Sequence, residues 1–485
     1  MERTGKKTEI IQIIVLCMVM VFSVMVMLTL CADEGIDYDE SYSFKSARDY
    51  TQLEIVQKMI DDHDTDVPLY YCALRAWNML FGGIGHRFFS SRLFSVAGAV
   101  ASMLLGILAV RRLWGFQTAL YYMTAVGLAP ALLHVNVNIR MYSWTNFLVA
   151  ACAILAFCIV QNPERKLLWT LLVLCTVAAL FSHYFTAFAF LAIYLYLLVA
   201  LWRYERKAVW RVFVGGVIAL APLVLWIIVS GFFRFVKTDP EEVKMKKLSI
   251  DVLLTYLFET DMRFGVAMAV FLVIFALVGG ALLMKNGTRR GERGFALMSI
   301  AAIFAVYLLA LAVSSFASHF FSPRHIMHLA GLMWLGIAIV LPRVNLPVYL
   351  SGYAVLLAMC CSNYKGEYEL TYRDTPYLEA TKEFIETQME AGDLVIYTTD
   401  SMYATLYSCY MPEQTFVKLN RLGDLDELAG RRVWFFSTNY QQYFSDEDVE
   451  KYGISEENMG HYGFQIMENN TDFDLLRIEI RGSGQ

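Results

Sequence analysis

Residues 10–31 read IIQIIVLCMVMVFSVMVMLTLC, and this uncharged stretch decides what kind of protein the chain is. A helix needs about 20 mostly apolar residues to cross the hydrocarbon core of a bilayer. The stretch is longer than the apolar part of a typical signal peptide, and Leu30-Cys31 lacks the small residue expected before a cleavage site. We therefore expect it to remain in the protein as a membrane-spanning helix.

The rest of the chain is similarly apolar. Its 485 residues are 57% hydrophobic and only 18% charged, with a mean hydropathy of +0.47. That is more apolar surface than a soluble core can bury. Further runs of spanning length occupy residues 89–110, 117–134, 143–160, 167–182, 185–202, 211–231, 264–284, 295–318, 326–341 and 346–362. The sequence thus predicts an all-α polytopic membrane protein with about eleven transmembrane helices.

Charge and cysteine content exclude several classes of protein. The formal net charge of -5 is small, and the basic residues lie mainly at the ends of apolar runs, so no face suits nucleic acid. The nine cysteines are scattered, with neither a disulfide framework nor a CxxC pattern for a metal.

Orientation follows from the short basic loops, which predict a multi-pass protein of the cell membrane. One such segment precedes the first run and the others follow every second run, so all of them lie on the same side of the membrane. The positive-inside rule assigns that side to the cytoplasm. The N-terminus is then inside, whereas residues 32–88, 232–263 and 364–485 lie outside. One segment opposes this assignment, because the outer loop 232–263 carries Lys237, Lys244, Lys246, Lys247 and Arg263, whose charges are partly cancelled by its acidic residues. The cytoplasmic basic residues are Arg3, Lys6, Lys7, Arg111, Arg112, Arg165, Lys166, Arg203, Arg206, Lys207, Arg211, Arg289, Arg290 and Arg293.

The composition changes at residue 364, so we divide the chain into a transmembrane module, 1–363, and an extracytoplasmic accessory domain, 364–485. A helix over 376–389 and strands over 394–399 and 433–438 predict that the second part is a small α/β domain. Within the first part, apolar residues recur along the outer loop 32–88, which predicts surface helices.

Three carboxylates follow the first span directly: Asp37, Asp39 and Glu40. Such groups are costly at a membrane surface unless water, a cation or a substrate faces them. Asp39 and Glu40 cannot point the same way in a regular helix or strand, whereas Asp37 and Asp39 share a face if the segment is extended. Alternatively, Asp39 merely caps the helix that follows.

A second acidic cluster, residues 61–66, contains His63 and Asp66 and returns the chain to the membrane. On composition alone, a solvated loop explains this cluster better than a metal site does. The acidic clusters permit a divalent cation without specifying one, so the cofactor is unknown and no metal ligand is assigned.

Further polar side chains lie at the ends of apolar spans, on the same predicted outer face. They are Arg140 with Tyr142, His183, and Arg324. Arginine is well suited to phosphate oxygens, and a lipid phosphate would meet these donors at its own depth. The alternative is interfacial anchoring, in which such side chains are common.

Several segments, taken in order, resemble the GT-C class of polytopic glycosyltransferases, in particular glycosyltransferase family 39, the bacterial relatives of protein O-mannosyltransferases and aminoarabinose transferases. The first segment, Tyr38-Asp39-Glu40-Ser41-Tyr42, looks like the Asp-Glu motif of that family. The second segment, which begins at Val67, resembles the family's His-Pro-Pro-Leu-Tyr-Tyr segment. The resemblance is best over about the first two hundred residues. The remaining segments are Val67-Pro68-Leu69-Tyr70-Tyr71, Arg111-Arg112-Leu113-Trp114-Gly115, Ile139-Arg140-Met141-Tyr142-Ser143 and Ser182-His183-Tyr184.

The resemblance implies that a sugar leaves a polyprenyl phosphate at the outer face and is captured, with inversion, by a hydroxyl of a cell-envelope acceptor. Asp39 would be the general base, with Glu40 beside it in the catalytic motif. Arg140, His183 and Arg324 would bind the donor phosphate. From their positions in the acidic clusters and at a span end, we further assign contact with substrate or a cation to Asp37, His63, Asp66 and Tyr142.

The chain departs from the family pattern at one point, because Asp66 and Val67 stand where the family has His-Pro. His63 or Asp66 could replace that histidine, and the sequence does not choose between them.

Other functions compete with this interpretation. An oligosaccharide ligase or polymerase would use the same lipid-linked donor. A non-enzymatic lipid-glycan transporter or flippase should show paired repeats or broken helices at the midplane, which are not evident. A receptor or assembly protein would need far fewer spans as an anchor.

Overall fold

The structure is a computed structural model of the chain. It describes residues 2–62, 66–231, 280, 289–316, 323–373, 383, 386–397, 405, 408–418, 433–437, 455–466 and 469–479.

The chain forms two compact units. The first, which we call the helical unit, consists of Met1–Ala32, Tyr50–Ile84 and Phe89–Glu367. The second, the mixed unit, consists of Asp33–Asp49, Gly85–Phe88 and Tyr368–Gln485. Two short pieces of the segment 32–88 thus belong to the same unit as the C-terminal part of the chain.

Helices account for nearly all of the described chain up to residue 373. The α-helices are α1 (Glu2–Cys31), α2 (Tyr38–Asp49), α3 (Gln52–Asp61), α4 (Leu69–Phe81), α5 (Phe89–Leu105), α6 (Arg111–Trp114), α7 (Phe116–Leu128), α8 (Leu132–Val137), α9 (Tyr142–Gln161), α10 (Lys166–Ser182), α11 (Thr186–Tyr204), α12 (Val209–Ser230), α13 (Glu292–Phe316), α14 (Ala330–Val340) and α15 (Leu346–Arg373). A π-helical turn, Gly106–Val110, joins α5 to α6. The 3₁₀ turn Pro323–Leu329 leads into α14.

Eight helical segments in the described part of the chain are long and apolar enough to cross a membrane. They match eight of the predicted runs, and α10 is a shorter apolar helix at a ninth. The predicted run 264–284 lies, apart from residue 280, outside the described residues. The multi-pass, helical membrane fold is therefore confirmed. The eight segments are Lys7–Cys31, Phe89–Trp114, Tyr142–Gln161, Thr186–Tyr204, Arg206–Ser230, Glu292–Leu309, Arg324–Arg343 and Leu346–Tyr372.

The predicted run 117–134 is not one continuous helix. The helix α7 ends at Leu128, and the chain turns before α8 begins. Pro130 lacks the N–H that a continuing helix would use, and Ala131 adopts a φ of 59°, which is rare for a residue with a Cβ atom. The prediction of a single span at this position was wrong because proline interrupts the backbone hydrogen bonding.

The core of the helical unit surrounds α14, all of whose residues are buried. This helix packs against α7, α9 and α13. Small residues allow close approach between helices: a Cβ atom added at Gly98 of α5 would lie 2.9 Å from the backbone nitrogen of Trp144 in α9. Such contacts replace the hydrophobic driving force that helices lack within lipid.

The segment 32–88 carries three helices, α2, α3 and α4, with a break at Tyr50 and Thr51 between the first two. Thr51 and Glu54 form a capping box, which starts α3. Within α3, Ile55 and Met59 are buried, whereas Leu53 is 77% exposed. The buried face of α3 therefore contains Ile55 and Met59, one turn apart.

The mixed unit contains a sheet with strand order β2-β1-β3-β5-β4. The strand β1 pairs in parallel with β2 and β3, and β5 pairs antiparallel with β3 and β4. The predicted strands at 394 and 433 are present as β1 and β3, whereas the predicted helix 376–389 lies mostly outside the described residues. The strands are β1 (Leu394–Tyr397), β2 (Thr415–Lys418), β3 (Val433–Ser437), β4 (Ser455–Ile466) and β5 (Asn469–Glu479).

The close contact at Gly98 leads to a stability prediction. The substitution Gly98→Ala adds a Cβ atom that would lie 2.7 Å from Ser143 Oγ and 2.9 Å from the backbone of Trp144. Overpacking of this kind costs about 1–3 kcal/mol, so we expect a lower melting temperature of the detergent-solubilised protein.

Gly216→Ala in α12 is the matched control, because its added Cβ atom would lie 3.7 Å from the nearest atoms, on the ring of Tyr194. We expect it to leave the melting temperature unchanged or slightly raised. Equal melting temperatures for the two variants would contradict the assigned α5–α9 contact.

Candidate active site

The acidic motif lies at the start of α2, and its carboxylates have different structural roles. The backbone N–H of Glu40 donates to Asp37 Oδ1 at 2.7 Å, and the backbone N–H of Asp37 donates to Glu40 Oε2 at 3.3 Å. These reciprocal bonds form a capping box that satisfies N–H groups at the helix start. The helix is therefore capped by Asp37 and not by Asp39.

Asp39 lies within the first turn of α2, outside this capping box. Its side chain is half-buried, and its backbone oxygen accepts a hydrogen bond from Ser43 Oγ at 3.1 Å. Glu40 is only 4% exposed. Because successive residues of a helix point about 100° apart, the carboxylates of Asp39 and Glu40 face different directions.

Contacts within the mixed unit hold α2 against the C-terminal part of the chain. Lys45 Nζ donates to Ser408 Oγ at 2.9 Å, and Cys409 Sγ lies 3.6 Å from the backbone oxygen of Ser41. The ring of Phe88 packs edge-on against those of Phe44 and Tyr410, at 4.9 and 5.5 Å. The C-terminal segment 408–410 thus positions the helix that carries Asp39.

In the helical unit, a hydrogen-bonded chain links Asp66 to Arg140. Tyr71 donates its phenolic hydrogen to Asp66, and Arg140 Nη1 donates to the hydroxyl oxygen of Tyr71 at 3.3 Å. Tyr71 is fully buried, at the start of α4. A buried hydroxyl that bridges a carboxylate and a guanidinium restricts the orientation of the arginine.

The backbone that carries Arg140 is non-helical and is held on both sides. Its N–H donates to the oxygen of Asn138 at 2.7 Å, and Ser95 of α5 donates to that same oxygen. The amide of Asn138 contacts His134 Nε2 at 2.9 Å, and His134 Nδ1 contacts Glu367 at 3.1 Å. The loop before α9 is therefore fixed by α5 and α15.

A group of aromatic and basic side chains surrounds His183, in the turn between α10 and α11. Its ring centroid lies 5.5 Å from that of Tyr142 and 5.9 Å from that of His325. Burial lowers the pKa of His183 well below its usual range, and so do its basic neighbours, which include Arg140 and Arg324. Both arginines therefore act on the same buried histidine.

His183 is held as a neutral imidazole. Its Nδ1 accepts the backbone N–H of Phe185 at 3.2 Å, so the ring proton resides on Nε2. A neutral imidazole with an Nε2–H can donate one hydrogen bond without adding charge. Together with the forked guanidinium donors of Arg140 and Arg324, this arrangement is suited to an anionic group such as phosphate.

The structure thus places five of the predicted residues in the helical unit and three in the mixed unit; His63 lies outside the described residues. Among the described residues, no group of three or more His, Cys, Asp or Glu side chains could hold a metal ion. The five are Asp66, Arg140, Tyr142, His183 and Arg324, and the three are Asp37, Asp39 and Glu40.

Three neighbours of the site were not among the predicted site residues: Tyr71, His325 and His328. The ring of His328 is fully buried, 6.2 Å from that of His183. Tyr71 stands in the Val67–Tyr71 segment and His325 follows Arg324, so both had a sequence signal. His328 had none beyond its spacing of one 3₁₀ turn from His325.

Comparisons with known proteins support the fold. No protein-family model and no curated protein sequence matches the chain. Two crystal structures of ArnT from Cupriavidus metallidurans match it, one in the apo state at 12% identity and one bound to undecaprenyl phosphate at 11% identity. Each match has a TM-score of 0.59 and covers 95% of this chain and 97% of that chain. The chain therefore has the fold of ArnT, as the sequence motifs led us to expect.

Proposed function

We propose that the protein is a membrane glycosyltransferase that moves a sugar from a polyprenyl-phosphate donor to an acceptor hydroxyl. The main support is the fold match over 95% of the chain to ArnT, one structure of which is bound to undecaprenyl phosphate. The arginines near His183 supply the positive charge that such a donor requires.

Arg140 and Arg324 bind the phosphate of the donor in this proposal, and His183 donates a hydrogen bond from Nε2. The bond between the anomeric carbon and the phosphate oxygen breaks, and polyprenyl phosphate leaves with the electron pair. Arginine contacts lower the cost of the developing negative charge on that oxygen. No nucleotide is needed, since a lipid phosphate is itself a competent leaving group.

Asp39 is the general base. It accepts the proton of the acceptor hydroxyl while that oxygen forms its bond to the anomeric carbon, with inversion. An ordinary carboxylate suffices, because the hydroxyl becomes acidic only as the new bond forms. Asp37 and Glu40 shape the start of α2 through their capping box and so hold Asp39 in place.

Asp66 takes the role of the histidine that the family has at this position, and it acts through its hydrogen bond with Tyr71. Its carboxylate accepts the Tyr71 hydroxyl hydrogen, which leaves the hydroxyl oxygen to accept from Arg140. In this proposal the chain orients one guanidinium for the donor phosphate. The multi-pass orientation proposed here has the N-terminus in the cytoplasm and the mixed unit outside.

Asp39→Asn tests the base assignment. We expect transfer from a polyprenyl-phosphate sugar to fall by at least about 10²-fold, because an amide cannot accept the proton. The measurement is transfer of radiolabelled sugar by purified protein in vesicles, with thermal unfolding as the check on folding. Asp61→Asn, at the end of α3, is the control and should retain full activity. Undiminished transfer by a folded Asp39→Asn protein would contradict the assignment.

Tyr71→Phe tests the Asp66–Tyr71–Arg140 chain. Losing the hydrogen bond to a charged group should weaken donor binding about tenfold, which appears as a higher KM for the donor. The neighbouring Tyr70→Phe removes a buried hydroxyl outside this chain and should leave the KM unchanged. If both variants raise KM equally, Tyr71 has no special role in orienting Arg140.

The orientation is tested by cysteine labelling. Glu413 is exposed in the mixed unit, and Glu413→Cys in a Cys72→Ser, Cys361→Ser background should react with an impermeant maleimide added to intact cells. Labelling only after lysis would overturn the proposed orientation.

Native Cys409 is the internal control for that experiment. Burial raises the pKa of its thiol to about 11, so the reactive thiolate is scarce at pH 7.5. Without Glu413→Cys, we expect little labelling of Cys409 at pH 7.5. In the detergent-solubilised protein its labelling rate should rise with pH up to that pKa; a rate independent of pH would contradict the raised pKa.

A further inference from the structure

A groove of about 590 Å³ lies in the helical unit, between α11 and the start of α13. Its residues on α11 run from Ala192 to Tyr204. The first residue of α11 is Thr186, next to the His183 turn, and Arg203 lies about 26 Å further along the helix axis at 1.5 Å per residue. The groove is therefore separate from the candidate active site.

The side chains that form the walls of the groove are apolar, and several of them are exposed on the surface of the protein. On α11, Leu195 is 56% exposed and Val199 is 61% exposed. On α13, Ala301 and Ala305 lie one turn apart on the same face, so their small side chains leave space beside the helix. The volume is within the range of about 300–1,000 Å³ that is typical of ligand sites.

Three arginines line the same groove at its charged end: Arg203, Arg289 and Arg293. All three are exposed, and none forms an ion pair with another residue of the described chain. Glu292 also lines the groove, but it is fully buried and pairs with Arg343 at 2.9 Å. The end of the groove is therefore positively charged.

A buried hydroxyl lies beside these charges. Tyr196 is 7% exposed, and its hydroxyl has no hydrogen-bond partner in the described structure. It lies against Gly291, where an added Cβ atom would be 2.8 Å from that hydroxyl oxygen. Gly291 has a φ of 74° and also lines the groove. Because buried hydroxyls are normally hydrogen-bonded, an acceptor is expected at this position.

We propose that this groove binds an anionic phospholipid of the surrounding bilayer. One acyl chain lies along Leu195, Val199 and the alanines of α13. The phosphate faces Arg203, Arg289 and Arg293 and accepts the hydrogen of Tyr196. Basic pockets between helices on the cytoplasmic side of membrane proteins bind such headgroups, and the positive-inside rule assigns this end of α11 to that side.

Native mass spectrometry of the purified full-length protein tests the proposal, with phosphatidylglycerol and phosphatidylcholine supplied in equal amounts. We expect retained phosphatidylglycerol on the wild-type protein and roughly a hundredfold weaker retention by Arg203→Gln/Arg289→Gln/Arg293→Gln, which removes three phosphate contacts. The control Arg112→Gln/Arg206→Gln/Arg290→Gln removes the same charge from outside the groove and should retain the lipid.

A second variant tests the apolar wall independently of charge. Ala301→Trp fills the groove from an exposed position and should displace the lipid although all three arginines remain. Four outcomes would each overturn the proposal. Two concern the lipid: phosphatidylcholine is retained equally, or undecaprenyl phosphate is preferred. The other two are that soluble glycerol phosphate binds as strongly as the lipid, or that both triple variants lose the lipid equally.

Discussion

The absence of water inside a bilayer is the constraint on which this structure depends, because every backbone N–H and C=O group at that depth needs a partner within the protein. Long helices meet the requirement by themselves. The interruption after α7 meets it with side chains: Asn136 Nδ2 donates to the oxygen of Val126 at 2.9 Å, and Ser95 donates to that of Asn138. A non-helical segment is thus tolerated because it is buried, and Arg140 lies at its end.

Much of the membrane fold was predictable, since span length and hydropathy depend only on local composition. The break at Pro130 was readable too, because proline disrupts a helix wherever it falls in its interior. The capping box of α2 was equally local: an acid at position 37 and a glutamate three residues later is a known start signal. The alternative that Asp39 caps the helix missed this capping box. Choosing between Asp37 and Asp39 as the cap requires knowing that the helix begins at Tyr38.

The arrangement of the site was far less predictable, since it depends on contacts between distant positions. Tyr71 and Arg140 are 69 residues apart, and Lys45 and Ser408 are 363 apart. No spacing or periodicity encodes such pairs. The alternation that predicted β1 and β3 likewise said nothing about which segment of the C-terminal region would contact α2. Motif order could indicate which residues matter, but not which of them share a compact unit.

The contacts of α2 bear on the role of the C-terminal region. Composition alone makes residues 364–485 an accessory, because they contain no recognisable catalytic motif. Yet Ser41, Phe44 and Lys45 of α2 are held by a segment of that region or by Phe88 beside it. A general base must be placed to within about half an ångström to be effective. If Asp39 is that base, the region acts in catalysis by fixing α2, although none of its own side chains reacts.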